Sequence, residues 1–341
     1  MARYPFQPDF NELLCVLNRQ RPSRPVLFEL FMNPTVYELM AGHKQEDESE
    51  DAYFRLVVDA FCAGGYDYAT IYASGFAFSA GERNAQHTIS LNEGFIITDE
   101  KSFEDYEWPN PESFDYSRLD KLGKYMPDGM KLLVMGPGGV LENVITLVGY
   151  ENLCYMMLEK PELVQQIFDE VGSRMLRYYQ IAAEHEAVGL IMSNDDWGFN
   201  TQTFLSPSDM RRLVFPWHTK IVKAAHDNKK PVALHSCGYM EEIVDDIIET
   251  MKYDGKHSYE DKILPVEESY RRWGGRIGIL GGIDVNFLIK SSLQEIRERA
   301  AKVLELTQEH GSYALGSGNS IPEYVPYEHY RAMIDVALEM R

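Results

Sequence analysis

His235 and Cys237 stand two residues apart at the end of the run Lys230-Pro-Val-Ala-Leu-His-Ser-Cys-Gly238, and an imidazole with a thiol is a pair of zinc donors. Val232, Ala233 and Leu234 read as a short strand that ends at the glycine. Alternate residues on a strand point to one side, so the two side chains can reach a common point. A single His-x-Cys fits equally well a packed imidazole beside a small buried thiol. The pair therefore needs a place in a fold before it has a role.

The chain has 341 residues, 45% of them hydrophobic, which suits one large domain over residues 1–341. Its 33 Lys+Arg against 53 Asp+Glu leave a net charge of −20, which opposes non-specific attraction to nucleic acid or to anionic membranes. Neither a signal-peptide core nor an apolar run long enough to span a bilayer occurs, so a cytoplasmic protein is expected. Cys15, Cys62, Cys154 and Cys237 show no paired spacing. The first three are expected to be core thiols.

Short apolar runs alternate with helical patterns along the whole chain. The expected strands are Pro25–Phe31, Tyr66–Tyr72, Lys131–Gly136, Gly189–Asn194, Val232–Leu234, Tyr253–His257, Arg276–Gly281 and Tyr313–Gly316. Eight β/α units point to a closed (β/α)8 TIM barrel, with a doubly wound open sheet as the alternative. Residues 74–115 interrupt the rhythm. Within them Thr88–Leu91, the turn Asn92-Glu93-Gly94 and Phe95–Thr98 read as a β-hairpin. An insertion after strand two is expected to form a lid over the site, the alternative being a hairpin that is decorative or serves a homodimer.

In such a barrel the chemistry belongs at the C-terminal ends of the strands. Glu29 and Asn33 stand there after strand one, and Tyr72 and Ser74 after strand two. Asn194, Asp195, Asp196 and Trp197 follow strand four, and His235 and Cys237 follow strand five. His257 and Glu260 follow strand six, Asp284 strand seven, and Ser317 and Asn319 strand eight. Loops begin at these places, so capping explains some of them, Asp284 above all. Strands four to six are neighbours, which lets His235, Cys237 and a third group hold zinc with one position open. Asp195 or Asp196 would then orient a ligand imidazole or the substrate. No phosphate-binding glycine loop and no Gly-x-Ser-x-Gly elbow is present.

The runs Asn194-Asp-Asp-Trp-Gly198, Phe204-Leu-Ser-Pro207, Phe215-Pro216, Lys230–Gly238 and Gly281-Gly-Ile-Asp284 resemble the uroporphyrinogen decarboxylase superfamily, which implies the (β/α)8 barrel. True uroporphyrinogen decarboxylases hold substrate carboxylates with arginines in an N-terminal motif. The matching Phe28-Glu-Leu-Phe-Met-Asn-Pro34 has none, so a polycarboxylate tetrapyrrole would be unpaired here. The resemblance instead implies the cobalamin-dependent methyltransferase branch, in which zinc activates a thiol to accept a methyl group from a corrinoid protein. Its His-x-Cys falls on His235 and Cys237. Its third ligand, a cysteine after strand eight, falls on Ser317, a poor zinc donor; either His257, Glu260 or Asp195 replaces it, with His257 first, or zinc binds weakly, or the site is metal-free and Cys237 serves otherwise.

The expected function is a zinc-dependent methyltransferase acting between a small-molecule methyl donor or acceptor and the corrinoid of a partner protein. His235, Cys237 and His257 would hold the metal, with Asp195, Asp196 and His257 in catalysis. Glu29, Asn33, Tyr72, Asn194, Trp197, Ser317 and Asn319 would face the substrate. A metal-free decarboxylase and a non-catalytic corrinoid- or tetrapyrrole-binding protein are the alternatives.

Overall fold

Seven apolar runs, each too short for a helix and bounded by glycine, proline or polar residues, and the polar segment Gly255–His257 become parallel strands in a computed structural model that describes residues 6–81 and 91–341. They are β1 (Val26–Leu27), β2 (Tyr68–Tyr72), β3 (Lys131–Met135), β4 (Val188–Asn194), β5 (Val232–His235), β6 (Gly255–His257), β7 (Gly278–Leu280) and β8 (Tyr313–Leu315). The hydrogen-bonded order β1-β8-β7-β6-β5-β4-β3-β2 follows the sequence, apart from the step from β1 to β2. This is the (β/α)8 fold, and all eight expected strands are present. Across the seam, the Tyr68 hydroxyl accepts from the Glu29 N–H and donates to the Glu29 carbonyl, each at 2.7 Å.

The strands are buried on both faces, as parallel sheets covered by helices are. Helices begin where the sequence supplies caps. Asn33 accepts from the Val36 N–H at the start of Pro34–Ala41, Ser49 caps Glu50–Ala63, and Asp284 caps Val285–Lys290. The 24-residue helix Pro161–Glu184 packs along β4 and carries Tyr178 and Tyr179, whose hydroxyls donate to the Met135 and Met192 carbonyls. None of the helices searched among the described residues is long and apolar enough to cross a membrane.

Several details differ from the sequence expectation. Phe95–Thr98 forms no strand; the Ile96 and Ile97 N–H groups both donate to the Leu147 carbonyl at 2.8 and 2.9 Å, so helix Val140–Val148 takes the bonds a hairpin partner would have used. Thr88–Ser90 lie outside the described residues. The sequence of Met240–Met251 predicts one regular helix, but the segment forms a 3₁₀ turn, Glu241–Ile243, and a π turn, Asp246–Thr250. Like charges at i and i+4, as in Glu241/Asp245 and Glu242/Asp246, together with β-branched residues, weaken the α form there. The helix after Ser206 widens to a π stretch at Met210–Val214, just before Pro216, which has no N–H for the ladder. Cys154 is exposed and Cys15 half-buried; of the three expected core thiols only Cys62 is buried.

Candidate metal centre

Parallel register carries three polar side chains to one level. Asn194 pairs with His235 across β4 and β5, and His235 pairs with His257 across β5 and β6. The ladder runs on past the strands, because the Asp195 N–H donates to the His235 carbonyl and the Ser236 N–H to the His257 carbonyl, both at 2.9 Å. Asp196 and Cys237, each two residues beyond that row, therefore leave the sheet side by side, and Ser258, one residue beyond it on β6, brings its Oγ to 3.6 Å from the Cys237 sulfur. Gly238, at φ +95°, makes the turn after Cys237 so tightly that a Cβ there would lie 2.1 Å from the Gly198 carbonyl oxygen.

The Cys237 N–H donates to Asp196 Oδ1 at 2.8 Å. His235 Nε2 lies 3.8 Å from Cys237 Sγ and 3.9 Å from Asp196 Oδ1, and donor atoms of Asp196, His235 and Cys237 all fall within 4.8 Å of one another. Tetrahedral zinc, with bonds of about 2.0–2.2 Å to N or O and about 2.3 Å to S, holds its ligand atoms roughly 3.4–3.6 Å apart. The three donors thus sit near the spacing of that coordination sphere, and they are of the types zinc takes.

Hydrogen bonding leaves one imidazole nitrogen of His235 open to the cluster. The Ser317 carbonyl, 3.1 Å from His257 Nε2, can only accept, so that nitrogen carries a proton. Burial, reinforced by neighbouring His235, holds His257 well below the ordinary imidazole range, so the ring is neutral and its Nδ1 is a lone pair. That lone pair lies 2.8 Å from His235 Nδ1, which must therefore be the donor. Burial also lowers His235 to about 4, and Nε2 is left unprotonated, facing Asp196 and Cys237. A ligand imidazole tied through its other nitrogen is the usual arrangement at metal sites.

This places His257 behind His235 and not beside it: both of its nitrogens are engaged, and Asp196 occupies the third corner instead. Burial pushes the Cys237 thiol up, with the Asp196 charge adding to the effect. Asn319 Nδ2 donates to its sulfur at 3.3 Å and Ser258 Oγ lies 3.6 Å away. A thiol held protonated by burial ionises when a divalent cation binds it.

The two acids after β4 divide the work. Asp196 turns to the β5 loop, whereas Asp195 is fully buried. Its Oδ2 accepts from the Leu141 N–H and lies 2.9 Å from His218 Nε2, and its Oδ1 accepts from the Glu142 N–H, all at 2.9 Å. It thus anchors the start of helix Val140–Val148, where a carboxylate complements the helix dipole. His218, whose Nδ1 is 2.7 Å from the Tyr253 hydroxyl, was not singled out in the sequence and belongs to this buried network.

The remaining expected substrate contacts are distributed unevenly. Asn194 Oδ1 accepts from the Gly136 N–H at 3.0 Å, which ties β4 to the loop after β3. Trp197 is fully buried against Phe215 and His218. Asn33 is a helix cap. Ser317 is buried, and its hydroxyl donates to Glu29 Oε1 at 2.7 Å, so it is engaged away from the cluster. Tyr72, 36% exposed and stacked on Phe31, and Asn319 at the thiol stay accessible. Lys256, buried on β6, is a charged residue that the sequence reading passed over.

Glu29 supplies a pH-dependent prediction. Burial raises its carboxyl to about 8, outweighing the Ser317 hydroxyl and the Leu30 and Ser317 N–H donors, which act the other way. The folded-state value lies above the unfolded one of 4.5, so between those values the native protein holds a proton that the unfolded chain has released. Its contribution to stability is therefore largest below about 4.5 and falls as pH rises to about 8. Relative to Glu29→Gln, the parent protein is expected to lose about 3–5 kcal/mol across that window. Urea unfolding of both proteins at a series of pH values checks this, and parallel stability profiles would refute it.

The profile of the family described as uroporphyrinogen decarboxylase (URO-D) matches residues 125–340. The chain is 26% identical to the uroporphyrinogen decarboxylase of Hydrogenovibrio crunogenus over 192 residues, 54% of this chain and 51% of that protein. It is 26% identical to that of Alkalilimnicola ehrlichii over 198 residues, 56% of this chain and 51% of that protein. The chain thus matches about half the length of these relatives. A solved methyltransferase from Methanosarcina mazei superposes with a TM-score of 0.74 over 96% of this chain and 97% of its own, at 16% identity, a likeness of fold. The family match covers more than half of the 341 residues, and within it lie every strand from β3 to β8 and all three donors of the cluster; the chain belongs to the uroporphyrinogen decarboxylase family.

Proposed function

We propose that this protein is a zinc-dependent methyltransferase that moves a methyl group between a small molecule and the corrinoid of a partner protein. The observation that carries the reading is the chain Ser317–His257–His235, which leaves His235 Nε2 unprotonated 3.8 Å from the Cys237 sulfur and 3.9 Å from Asp196. The fold shared with the Methanosarcina mazei methyltransferase is compatible with it. So is the lack of arginine in Phe28–Pro34, which removes the cations a polycarboxylate substrate would need.

Asp196, His235 and Cys237 would hold the zinc. When bound, the ion supplies the positive charge that lets a thiol substrate lose its proton near neutral pH. The chain's own residues prepare that place: His257 fixes the His235 ring, Asn319 and Ser258 reach the Cys237 sulfur, and the Asp196–Cys237 backbone bond fixes the spacing of two donors. Tyr72 stands at the end of β2 as an exposed aromatic surface for substrate. Residues 74–115 would serve as the lid; their described part is anchored by Trp108, over which the Arg174 guanidinium lies at 5.1 Å.

The test is methyl transfer between methylcobalamin and a panel of small thiols, followed by absorbance as the corrinoid loses its methyl group. Turnover that a chelator abolishes and added zinc restores is expected. Chelator-insensitive carbon dioxide release from a carboxylic acid, with no methyl transfer, would overturn the reading in favour of a metal-free decarboxylase.

A further inference from the structure

Lys256 lies on β6 next to the metal cluster but belongs to a different cavity. Its side chain is 6% exposed, and its ammonium donates to the Ser258 carbonyl at 2.6 Å and the Ser236 carbonyl at 3.5 Å. It also lies 4.5 Å from the centre of the Tyr259 ring. Among the described residues no carboxylate is within ion-pairing distance of it. The negative charges of Asp196 and Glu260 reach it only from beyond that distance; a buried cation with no directly paired counterion is an expensive arrangement, and lysines this buried are otherwise paired.

The same residue lines a cleft between the β5 and β6 loops and helix Val266–Trp273, with a cavity volume of about 40 Å³ and a mouth open to solvent. Ser269 lines this cleft too. It is fully buried, and its hydroxyl has no hydrogen-bond partner among the described residues, an unmet polar group in the same lining. Ile263, Leu264 and Trp273 supply apolar surface in the remainder of the lining.

We infer that this cleft binds a small monocarboxylate, its oxygens meeting the Lys256 ammonium and the Ser269 hydroxyl and its short apolar tail lying on Ile263, Leu264 and Trp273. The anion supplies a directly paired counter-charge for Lys256 and a hydrogen-bond acceptor for the Ser269 hydroxyl together. Two acids oppose it from the same cleft, Glu241 and Glu260. Glu241 is paired with Arg272, which leaves Glu260 as the competing charge. Burial lowers Lys256 only to about 8, so the amine is mainly protonated at pH 7. The site does not depend on the methyltransferase reading, although Ser258 joins the two places: its carbonyl holds Lys256 and its hydroxyl reaches Cys237.

The full chain titrated at pH 7 with sodium butyrate, with Trp273 fluorescence as the signal, tests this. Saturable quenching is expected. Butyramide, which lacks the charge, should give none, and acetate, two methylenes shorter, should bind about tenfold or more weakly. Lys256→Met should abolish the response, Ser269→Ala should weaken it, and Glu260→Gln should strengthen it. Trp273→Phe should remove the butyrate-dependent quenching, the other three tryptophans still emitting, while leaving butyrate's stabilisation in a thermal melt. Should Lys256→Met fail to fold, the comparison of butyrate with butyramide on the parent protein still decides. Equal responses to those two compounds, loss of binding in Glu260→Gln, or no saturable response to butyrate would overturn the proposal.

Discussion

Cys237→Ser is expected to purify with less than about a tenth of the zinc carried by the parent protein and to show no methyl transfer above background. Its hydroxyl oxygen is a far weaker zinc donor than a thiolate. With the sulfur gone, Asp196 and His235 offer only two donors, too few for a structural or catalytic site. The fold should survive, because Cys237 is half-buried at a loop and its backbone N–H, which bonds Asp196, is unchanged. Elemental analysis of both proteins prepared without chelator, alongside circular dichroism, separates loss of metal from loss of fold. Equal zinc in the two would remove Cys237 from the site. His257→Phe offers a graded comparison: it takes no ligand away but frees the His235 ring to rotate, and losses of outer partners of this kind typically weaken metal binding about 10–100-fold.

The second large effect is on stability. Asp195→Ala is expected to destabilise the fold by about 3–5 kcal/mol, the scale on which removing one partner of a buried charged network acts. The change would orphan the Leu141 and Glu142 N–H groups and His218 Nε2 at once. Packing offers no easy repair, since a Cβ at Gly139 would already lie 2.1 Å from Asp195. Asp196→Ala, by contrast, removes a side chain that is 38% exposed; it should cost little stability and much metal. Urea melts and zinc content of the two variants check the division. If Asp196→Ala were the less stable protein and Asp195→Ala the one that lost metal, the roles would be exchanged.

That division is the part of the site hidden from the sequence. His-x-Cys after a strand could be read directly, because i and i+2 spacing fixes the two side chains relative to each other wherever the strand lies. Adjacent aspartates carry no such information. Which of them meets the thiol depends on a loop-to-loop contact, the Cys237 N–H reaching Asp196, and on a helix N-terminus that draws Asp195 away. His257 reached the right row through register, but its two nitrogens were committed by Ser317 and His235, atoms distant in the chain. Seven of the strands were legible because burial on both faces leaves apolar runs bounded by turn residues; the polar Gly255–His257 was legible only from its place in the β/α alternation. Phe95–Thr98 had the same composition and became no strand, since helix Val140–Val148 offered its Ile96 and Ile97 N–H groups an acceptor. Lys256 escaped notice because a lysine inside a weak strand reads as exposed; only its two carbonyl partners and the ring of Tyr259 show it to be buried.

X-ray absorption at the zinc edge of the full chain reconstituted with one equivalent of the metal tests the central claim most directly. One sulfur neighbour at about 2.3 Å with nitrogen and oxygen at about 2.0–2.2 Å is expected, with loss of the sulfur shell in Cys237→Ser. A zinc shell of nitrogen and oxygen alone in the parent protein, or a sulfur shell that survives the substitution, would contradict it.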